Sequence, residues 1–357
     1  MNGKNIIIAA SGTGGHIYPG IALARELKDR QYNPVFFVSN NEASGEIIKN
    51  SGYDYVSFNL SGMPRKISFS FAVFFVKLIF AFFKALKNMF KLKPAAVIGA
   101  GGYISAPAIL SAKLCGKKTF IHEQNTVPGI SNKFLNIFSG KTFISFKDSE
   151  KYFKNKNNIM FTGYPVRREI FSADKDAVLD MFKLDKSVFT LMVFGGSLGA
   201  VKLNETVFEA VKMLSKKMKL QTIHITGKKG FDKINLKPDK PDNYLIFDYM
   251  HNIAGVYAVS DLVICRAGAG TVFELKFLDK PAILVPYPYA TDNHQYYNAK
   301  EASKDGNIAV IEEKDLTAQK LADTVEIMKG KLKINKKNSV SKLPQEIMAE
   351  EIIKSIG

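Results

Sequence analysis

Twice in this chain a short apolar run breaks into glycines and passes at once into sequence of helical period. The first is NIIIAA, Asn5 to Ala10, then Ser11-Gly12-Thr13-Gly14-Gly15-His16, a helical stretch from Pro19 to Arg30, and a second apolar run, VFFVS. Strand, helix and strand in that order make the two strands parallel, because such crossovers are right-handed. The device recurs in the second half, where TLMVFGG ends at Gly195-Gly196 and SLGAVKLNETVFEAVKMLSKK continues at helical spacing. Further apolar runs ending in Gly, Asn or polar residues follow in each half: AAVIGAGG, KTFIHEQN and KTFISF, then TIHITG, YLIFDYM, DLVICRAGAG and AILVPYP. The expectation is an α/β chain of two doubly wound parallel-sheet domains in tandem with a cleft between them. Ligands of such sheets gather beyond the carboxyl ends of the strands. Gly163 and Pro165 interrupt regular structure, which puts the boundary at Tyr164. The expected parts are residues 1–163, residues 164–341 and a C-terminal helix, residues 342–357, returning to the first domain.

With 357 residues, 46% hydrophobic and 23% charged, the chain is too long for one small core and too apolar for a disordered one. Two cysteines, Cys115 and Cys265, lie far apart without a CxxC, and the five histidines do not cluster. That pattern supports neither a disulfide scaffold nor a zinc site. The start carries one lysine and an apolar run of five residues, Ile6 to Ala10, before the glycines. It lacks the pattern of a signal peptide, so a cytoplasmic location is expected.

The net charge of +17 is unevenly spread: from Tyr55 to His122 there is no Asp or Glu, while ten Lys and Arg fall in the same stretch. Such a field attracts anionic surfaces. Within it, Ile67 to Leu92 holds eight phenylalanines, and its longest charge-free run is the ten residues Ile67 to Val76, short of the roughly 20 needed to span a bilayer. At about 100° per residue, Lys77, Lys84, Lys87 and Lys91 fall within an arc of about 80°, leaving an apolar face that includes Phe75 and Phe82. This is the pattern of a helix lying in a membrane interface. A core helix with one solvated lysine stripe has the same pattern.

The first glycine loop lets backbone approach a ligand closely, and the helix that follows offers N–H groups and positive dipole to phosphate. It is not a dinucleotide fingerprint, since the second strand ends Val38-Ser39-Asn40-Asn41 without an acidic residue, nor a P-loop, since no GK[ST] follows. His16 on that loop is a candidate general base, or a residue that merely bonds backbone. In the second half, Ser197 offers a hydroxyl to phosphate. Downstream, Thr271 and Glu274 have the spacing of a capping box, while a carboxylate at Glu274 is equally able to accept from the hydroxyls of a ribose. No DxD pair appears, so no metal held by paired carboxylates is expected, and phosphate charge falls to backbone N–H groups, Ser197 and Arg167.

The ordered set GTGGHIYPG, GGYISAPA, IHEQN, GYPVR, GGSLGA, CRAGAGTVFE and DNHQYYNA resembles the MurG family of peptidoglycan glycosyltransferases. The match runs from Thr13 to Asn298. The resemblance implies a GT-B fold of two Rossmann-like domains, inverting transfer, and no cofactor and no metal. It implies transfer of N-acetylglucosamine from UDP-N-acetylglucosamine to the 4-hydroxyl of undecaprenyl-pyrophosphoryl-muramyl-pentapeptide, with donor in the second domain and acceptor in the first. It places Thr13, Gly14 and Gly15 near the sugar diphosphate, His16 as base, and Asn125 on the transferred sugar. Arg167 and Ser197 meet the phosphates. Ala269, Gly270, Thr271, Val272, Phe273 and Glu274 line the nucleoside, with Glu274 on the ribose, Phe247 beside the uracil and Gln295 on sugar hydroxyls. Leu198 and His294 stand where the family often has Gln, and Phe247 where it often has Ile.

The implied partners are the two substrates and anionic membrane lipid, not nucleic acid, with the protein peripheral on the cytoplasmic face of the cell membrane. Glu123, in the HEQN loop, is the next candidate base after His16. Competing readings are a glycolipid glycosyltransferase, a nucleotide-sugar epimerase, which has no need of the basic Phe-rich segment, and a non-enzymatic basic peripheral membrane or nucleic-acid-binding protein, which leaves the two glycine loops and Glu274 without use.

Overall fold

The computed structural model describes residues 4–12, 14–40, 42–64, 69–196, 199–331 and 342–357. The chain divides into two compact units, Met1–Arg167 with Ser341–Gly357, and Arg168–Val340. Among the described residues each unit holds one sheet, and every strand pairing is parallel.

In the first unit the strands are β1 (Asn5–Ala9), β2 (Asn33–Ser39), β3 (Asp54–Phe58), β4 (Ala96–Gly99), β5 (Lys118–Glu123), β6 (Lys141–Ile144) and β7 (Ile159–Phe161). The helices are α1 (Gly14–Asp29), α2 (Glu42–Asn50), α3 (Phe69–Leu92), α4 (Ser105–Leu114) and α5 (Ile130–Leu135). The spatial order β3-β2-β1-β4-β5-β6-β7 reverses direction between β1 and β4. Helices on both faces bury the strands, which is why β1 and β2 read as continuous apolar runs. Side chains alternate across the sheet. Ile6, Ile8, Phe36 and Ile98 pack on α1 and α2, and Ile7, Ala9, Phe37 and Val97 pack on α3 and α4.

The second unit has α6 (Lys175–Phe182), β8 (Phe189–Phe194), α7 (Val201–Ser215), β9 (Leu220–Ile225), α8 (Lys228–Asn235) and β10 (Tyr244–Phe247). It continues through α9 (Ile253–Val259), β11 (Leu262–Cys265), α10 (Ala269–Phe277), β12 (Ala282–Leu284), α11 (His294–Ala302), β13 (Ile308–Val310) and α12 (Ala318–Gly330). Its order, β10-β9-β8-β11-β12-β13, reverses between β8 and β11. Leu191 and Val193 of β8 face α7 and α12, and Phe194 faces the other way, against Tyr257 of α9.

The last helix, α13 (Pro344–Ile356), belongs to the first unit. Pro344 opens it, and Glu346 accepts from the Leu343 N–H at 3.0 Å, a combination that starts a helix at little cost. Met348, Ala349 and Ile352 enter the core beside α1, and Glu351 pairs with Lys141. The Gln345 side chain bonds both the N–H and the C=O of Val166, at 3.3 and 3.0 Å. The first unit therefore keeps Tyr164 to Arg167, and the division falls after Arg167 instead of at Tyr164.

Among the described residues α3 is the one helix long and apolar enough to cross a bilayer by length and composition. It is instead the crossover from β3 to β4, seated on the sheet through Phe74, Ala81, Ala85 and Met89. These four lie on one side of the helix, and the side opposite carries Val76, Ile79, Phe80, Phe83 and Phe90, all exposed. The helix is thus apolar on two faces, and the lysines run along one flank between them. Lys77 is half-buried and Lys87 and Lys91 are exposed, while Lys84 donates to the Ser57 carbonyl at 2.7 Å and stands 5.3 Å over the Phe58 ring. Phe75 is exposed, but Phe82 is half-buried, so the outward apolar surface is centred on Phe80 and Phe83.

Pro19 lies inside α1 and has no N–H to give the carbonyl of Gly15 one turn back. Tyr164 supplies the missing donor, its hydroxyl reaching Gly15 O at 3.2 Å. Tyr164→Phe should therefore lower unfolding stability by about 1–2 kcal/mol. In a Pro19→Ala background, where an N–H is restored, urea unfolding should show a clearly smaller loss. An equal loss in both backgrounds would mean that the hydroxyl acts elsewhere.

Candidate functional site

Both glycine loops stand where the strand order reverses, the position at which open parallel sheets bind ligands. In the first unit the loops after β1 and β4 interlock: the Ser11 N–H donates to Gly101 O at 3.3 Å, and Gly101 N–H donates to Ser105 Oγ at 3.2 Å. Helix α1 begins at Gly14, so His16 lies in its first turn instead of in the loop before it. The imidazole is half-buried, with Nδ1 2.9 Å from the Ser11 carbonyl oxygen. An oxygen there requires Nδ1 to carry the proton, which leaves the Nε2 lone pair as the acceptor. The far side of the ring rests on Gly101, whose φ of +112° and lack of a side chain are both required, since a β-carbon would overlap the imidazole. Gly14 and Gly15 form the same turn, while Thr13 lies outside the described residues.

Behind this loop lies a buried polar layer. Gln124 donates to the Ala100 carbonyl and to His122 Nδ1, leaving His122 Nε2 to donate to Ser145 Oγ at 2.9 Å. Burial pulls the pKa of His122 down to about 3, so it stays neutral. Glu123, the other candidate base, lies in the same layer. It is fully buried, and its oxygens accept from Asn125 N–H at 2.8 Å, Gly129 N–H at 3.2 Å and Asn132 Nδ2 at 2.9 Å. Those bonds shape the turn that carries half-buried Asn125 into α5. Arg167 stacks its guanidinium 4.8 Å over the ring of Tyr18, one turn along α1 from Gly14.

In the second unit, Ser197 and Leu198 lie outside the described residues, and the rest of their loop closes tightly on β9. Gly199, at φ +77°, leaves no room for a side chain against the Thr226 carbonyl. That carbonyl is held by Asn204 Nδ2 at 2.9 Å, Asn204 Oδ1 accepts from His224 Nε2 at 3.1 Å, and His224 Nδ1 accepts from Tyr244 Oη at 2.6 Å. Burial holds His224 neutral, with a pKa near 3.

After β11, α10 starts at Ala269 with Gly268 as its N-cap and no side-chain cap bond. Thr271 is therefore inside the helix, and the capping-box reading of Thr271 and Glu274 is overturned. Ala269, Val272 and Phe273 are buried, and Thr271 and Gly270 are half-buried. Glu274 is half-buried and accepts from Tyr257 Oη at 3.1 Å. Arg266, a cation the sequence reading left unassigned, is buried: it pairs with Glu313 and donates to the carbonyls of Val285 and Pro286 at 3.1 and 3.2 Å. It braces the loop that follows β12. From the first turn of α11, Gln295 Oε1 accepts from the Tyr287 N–H of that loop at 3.0 Å, so its amide NH₂ is the group turned to donating. His294 Nδ1 donates to Thr291 O at 2.7 Å, which makes Nε2 an acceptor where Gln would offer both roles. Asp292 and Asn293, both at left-handed φ, set the start of α11. Phe247 ends β10, half-buried, with its ring 5.3 Å from Phe182. Among the described residues there is no group of three or more His, Cys, Asp or Glu placed to hold a metal ion.

Two Rossmann-like units, each opening a helix from a glycine loop at the reversal of its sheet, define an α/β fold that nucleotide-sugar transferases and epimerases share. The chain belongs to glycosyltransferase family 28: residues 6–144 match the family's N-terminal domain and residues 190–354 its C-terminal domain. It is 36% identical to the UDP-N-acetylglucosamine–N-acetylmuramyl-(pentapeptide) pyrophosphoryl-undecaprenol N-acetylglucosamine transferase of Desulforamulus reducens, over 98% of this chain and 97% of that one. To the protein of the same name from Caldanaerobacter subterraneus it is 38% identical over 90% of each chain. The crystal structure of Acinetobacter baumannii MurG superimposes with a TM-score of 0.77 at 27% identity, covering 98% of this chain and 99% of that one. A UDP-GlcNAc 2-epimerase from Neisseria meningitidis shares the fold, with a TM-score of 0.70 at 11% identity.

Burial raises the pKa of Glu123 from 4.5 to about 6 against the opposing pull of its N–H donors. The folded protein then holds a proton that the unfolded chain releases, so stability falls as pH rises from 4.5 through 6 and returns on acidification. The shift corresponds to something on the order of 2 kcal/mol. Glu123→Gln should remove this contribution, making the wild type's advantage over the variant larger at pH 5 than at pH 7 in urea unfolding. Parallel curves across that window would mean that the folded and unfolded chains titrate Glu123 alike.

Proposed function

We propose that this chain transfers N-acetylglucosamine from UDP-N-acetylglucosamine to the 4-hydroxyl of a muramyl-pentapeptide carried on undecaprenyl pyrophosphate, with inversion at the anomeric carbon. The observation that carries the catalytic assignment is the Nδ1–H bond from His16 to Ser11 O, which fixes the tautomer with a basic Nε2. In the reaction Nε2 takes the proton of the acceptor hydroxyl as its oxygen attacks the anomeric carbon. The bond to the diphosphate breaks with both electrons, and UDP leaves. Backbone N–H groups of the glycine loops, with Ser197 and Arg167, receive that charge, a stabilisation that grows as the bond breaks. Thr13, Gly14, Gly15 and Asn125 bind around the transferring sugar. Ala269 to Phe273 and Phe247 surround the nucleoside, Glu274 accepts from the ribose hydroxyls, and the Gln295 amide donates to the sugar. No metal or cofactor takes part in this scheme.

The acceptor is a lipid, and α3 supports a peripheral site on the cytoplasmic face of an anionic membrane. Its outward face, with Phe80 71% and Phe83 60% exposed, is a large unpartnered apolar surface, flanked by Lys77, Lys87 and Lys91. Burying two such rings contributes a few kcal/mol, and each lysine near anionic lipid about 1 kcal/mol.

Purified protein given radiolabelled UDP-N-acetylglucosamine and the lipid-linked acceptor should form labelled glycolipid. His16→Ala should lower kcat by roughly 10²–10⁴-fold with UDP binding nearly intact. A loss of only a few-fold would move the base elsewhere. Glu274→Ala should raise the donor KM through loss of a bond worth about 1.5–3 kcal/mol, and an unchanged KM would remove Glu274 from the ribose.

On anionic vesicles, Phe80→Asp with Phe83→Asp should release the protein even at low salt. Lys87→Gln should weaken binding about fivefold, the equivalent of about 1 kcal/mol. Lys84, already engaged by Ser57 and Phe58, should tolerate the same change within about twofold. Vesicle binding indifferent to all of these would put the membrane contact elsewhere.

A further inference from the structure

Tyr257 is fully buried in α9, on the sheet face opposite α7. Its ring stands 6.1 Å from that of Phe194, the last residue of β8 before the second glycine loop. A phenol at this depth needs an acceptor for its O–H, and Glu274 Oε2 provides one at 3.1 Å. The Cys265 thiol at the end of β11 is raised above its ordinary range, first by burial and second by the charge of Glu274. The Tyr257 ring thus lies beside the end of β8, while its hydroxyl bonds the carboxylate of α10, the helix that follows β11.

The geometry points to Tyr257 as a positioning residue for donor recognition, its hydroxyl holding the Glu274 carboxylate in the orientation that accepts from a ribose diol. This rests on the assignment of Glu274 to the ribose made above. A carboxylate offers about four lone-pair sites, so one phenol donor is compatible with two further hydroxyls. Without the tether the glutamate must be immobilised when the nucleotide arrives, at a cost equivalent to roughly a 3- to 10-fold loss of affinity. Tyr257 has no contact with the nucleotide in this scheme, and its effect passes entirely through Glu274.

Calorimetric titration of the full-length protein with UDP and with 2′-deoxy-UDP tests this, because the second ligand lacks one of the two hydroxyls. Wild type should prefer UDP, and Glu274→Ala should remove the preference. Tyr257→Phe should weaken UDP about 3- to 10-fold and 2′-deoxy-UDP by less, narrowing the preference, and the double variant should bind UDP no worse than Glu274→Ala alone. If Tyr257→Phe keeps the full preference while Glu274→Ala abolishes it, the tether is refuted and the ribose role of Glu274 stands. If Glu274→Ala also keeps the preference, both assignments fall. An equal loss of both ligands in Tyr257→Phe, with a lower unfolding midpoint, would reduce the residue to a part of the core and overturn the inference.

Discussion

The parallel pairing of β1 with β4 and of β8 with β11 is the constraint on which the rest depends. In each sheet those two strands are neighbours in space but have their following helices on opposite faces, so their loops part and leave a crevice at the carboxyl edge. Among the described residues, His16 and Glu274 lie in the first turns of helices that follow β1 and β11, and Asn125 and Phe247 lie at or just past the ends of β5 and β10. The price is that loop backbone and buried polar side chains crowd together there without water to satisfy them. The structure answers with internal partners: Gln124, His122 and Ser145 under the first loop, and Tyr244, His224 and Asn204 under the second. Burial keeps both of these histidines neutral, so the layers beneath the loops hold their hydrogen-bond directions across physiological pH.

His16 differs from the other two histidines in being half-buried, with its Nδ1 on a backbone carbonyl. Ser11 claims Nδ1, Gly101 lies against the ring, and the helix start brings the group to the crevice. Orientation of the same kind operates on the carboxylate of the second unit, where Tyr257 holds Glu274. In both places a neutral backbone or phenol group fixes an otherwise mobile side chain, and fixed orientation is what lets binding free energy act on the reacting atoms.

The third helix is apolar on two sides and covered on one. Its small residues Ala81 and Ala85 let it lie close on the sheet, and its large aromatic residues point away. A helix apolar on both sides is ordinarily buried on both. Here the crossover position covers one side only, and the other is left exposed beside a run of lysines.

Strand and helix identity, the two glycine loops and the lysine stripe were legible in the sequence, since each is carried by residues within a turn or two of one another. Periodicity records which side of an element is apolar, so the doubly wound α/β class followed from it. What periodicity does not record is the partner. Tyr164 completes Gly15 from 149 positions away, Gly101 backs His16 from the next strand of the sheet, Gln345 ties down Val166 from the far end of the chain, and Arg266, which has the look of a phosphate ligand, is spent on Glu313 and two carbonyls. The start of α10 at Ala269 decided that Glu274 is no cap, and the sheet beneath α3 decided which of its apolar faces is hidden. These depend on contacts between segments remote in sequence, which exist only once the strands have paired and the helices have docked, and so the tertiary structure alone determined them.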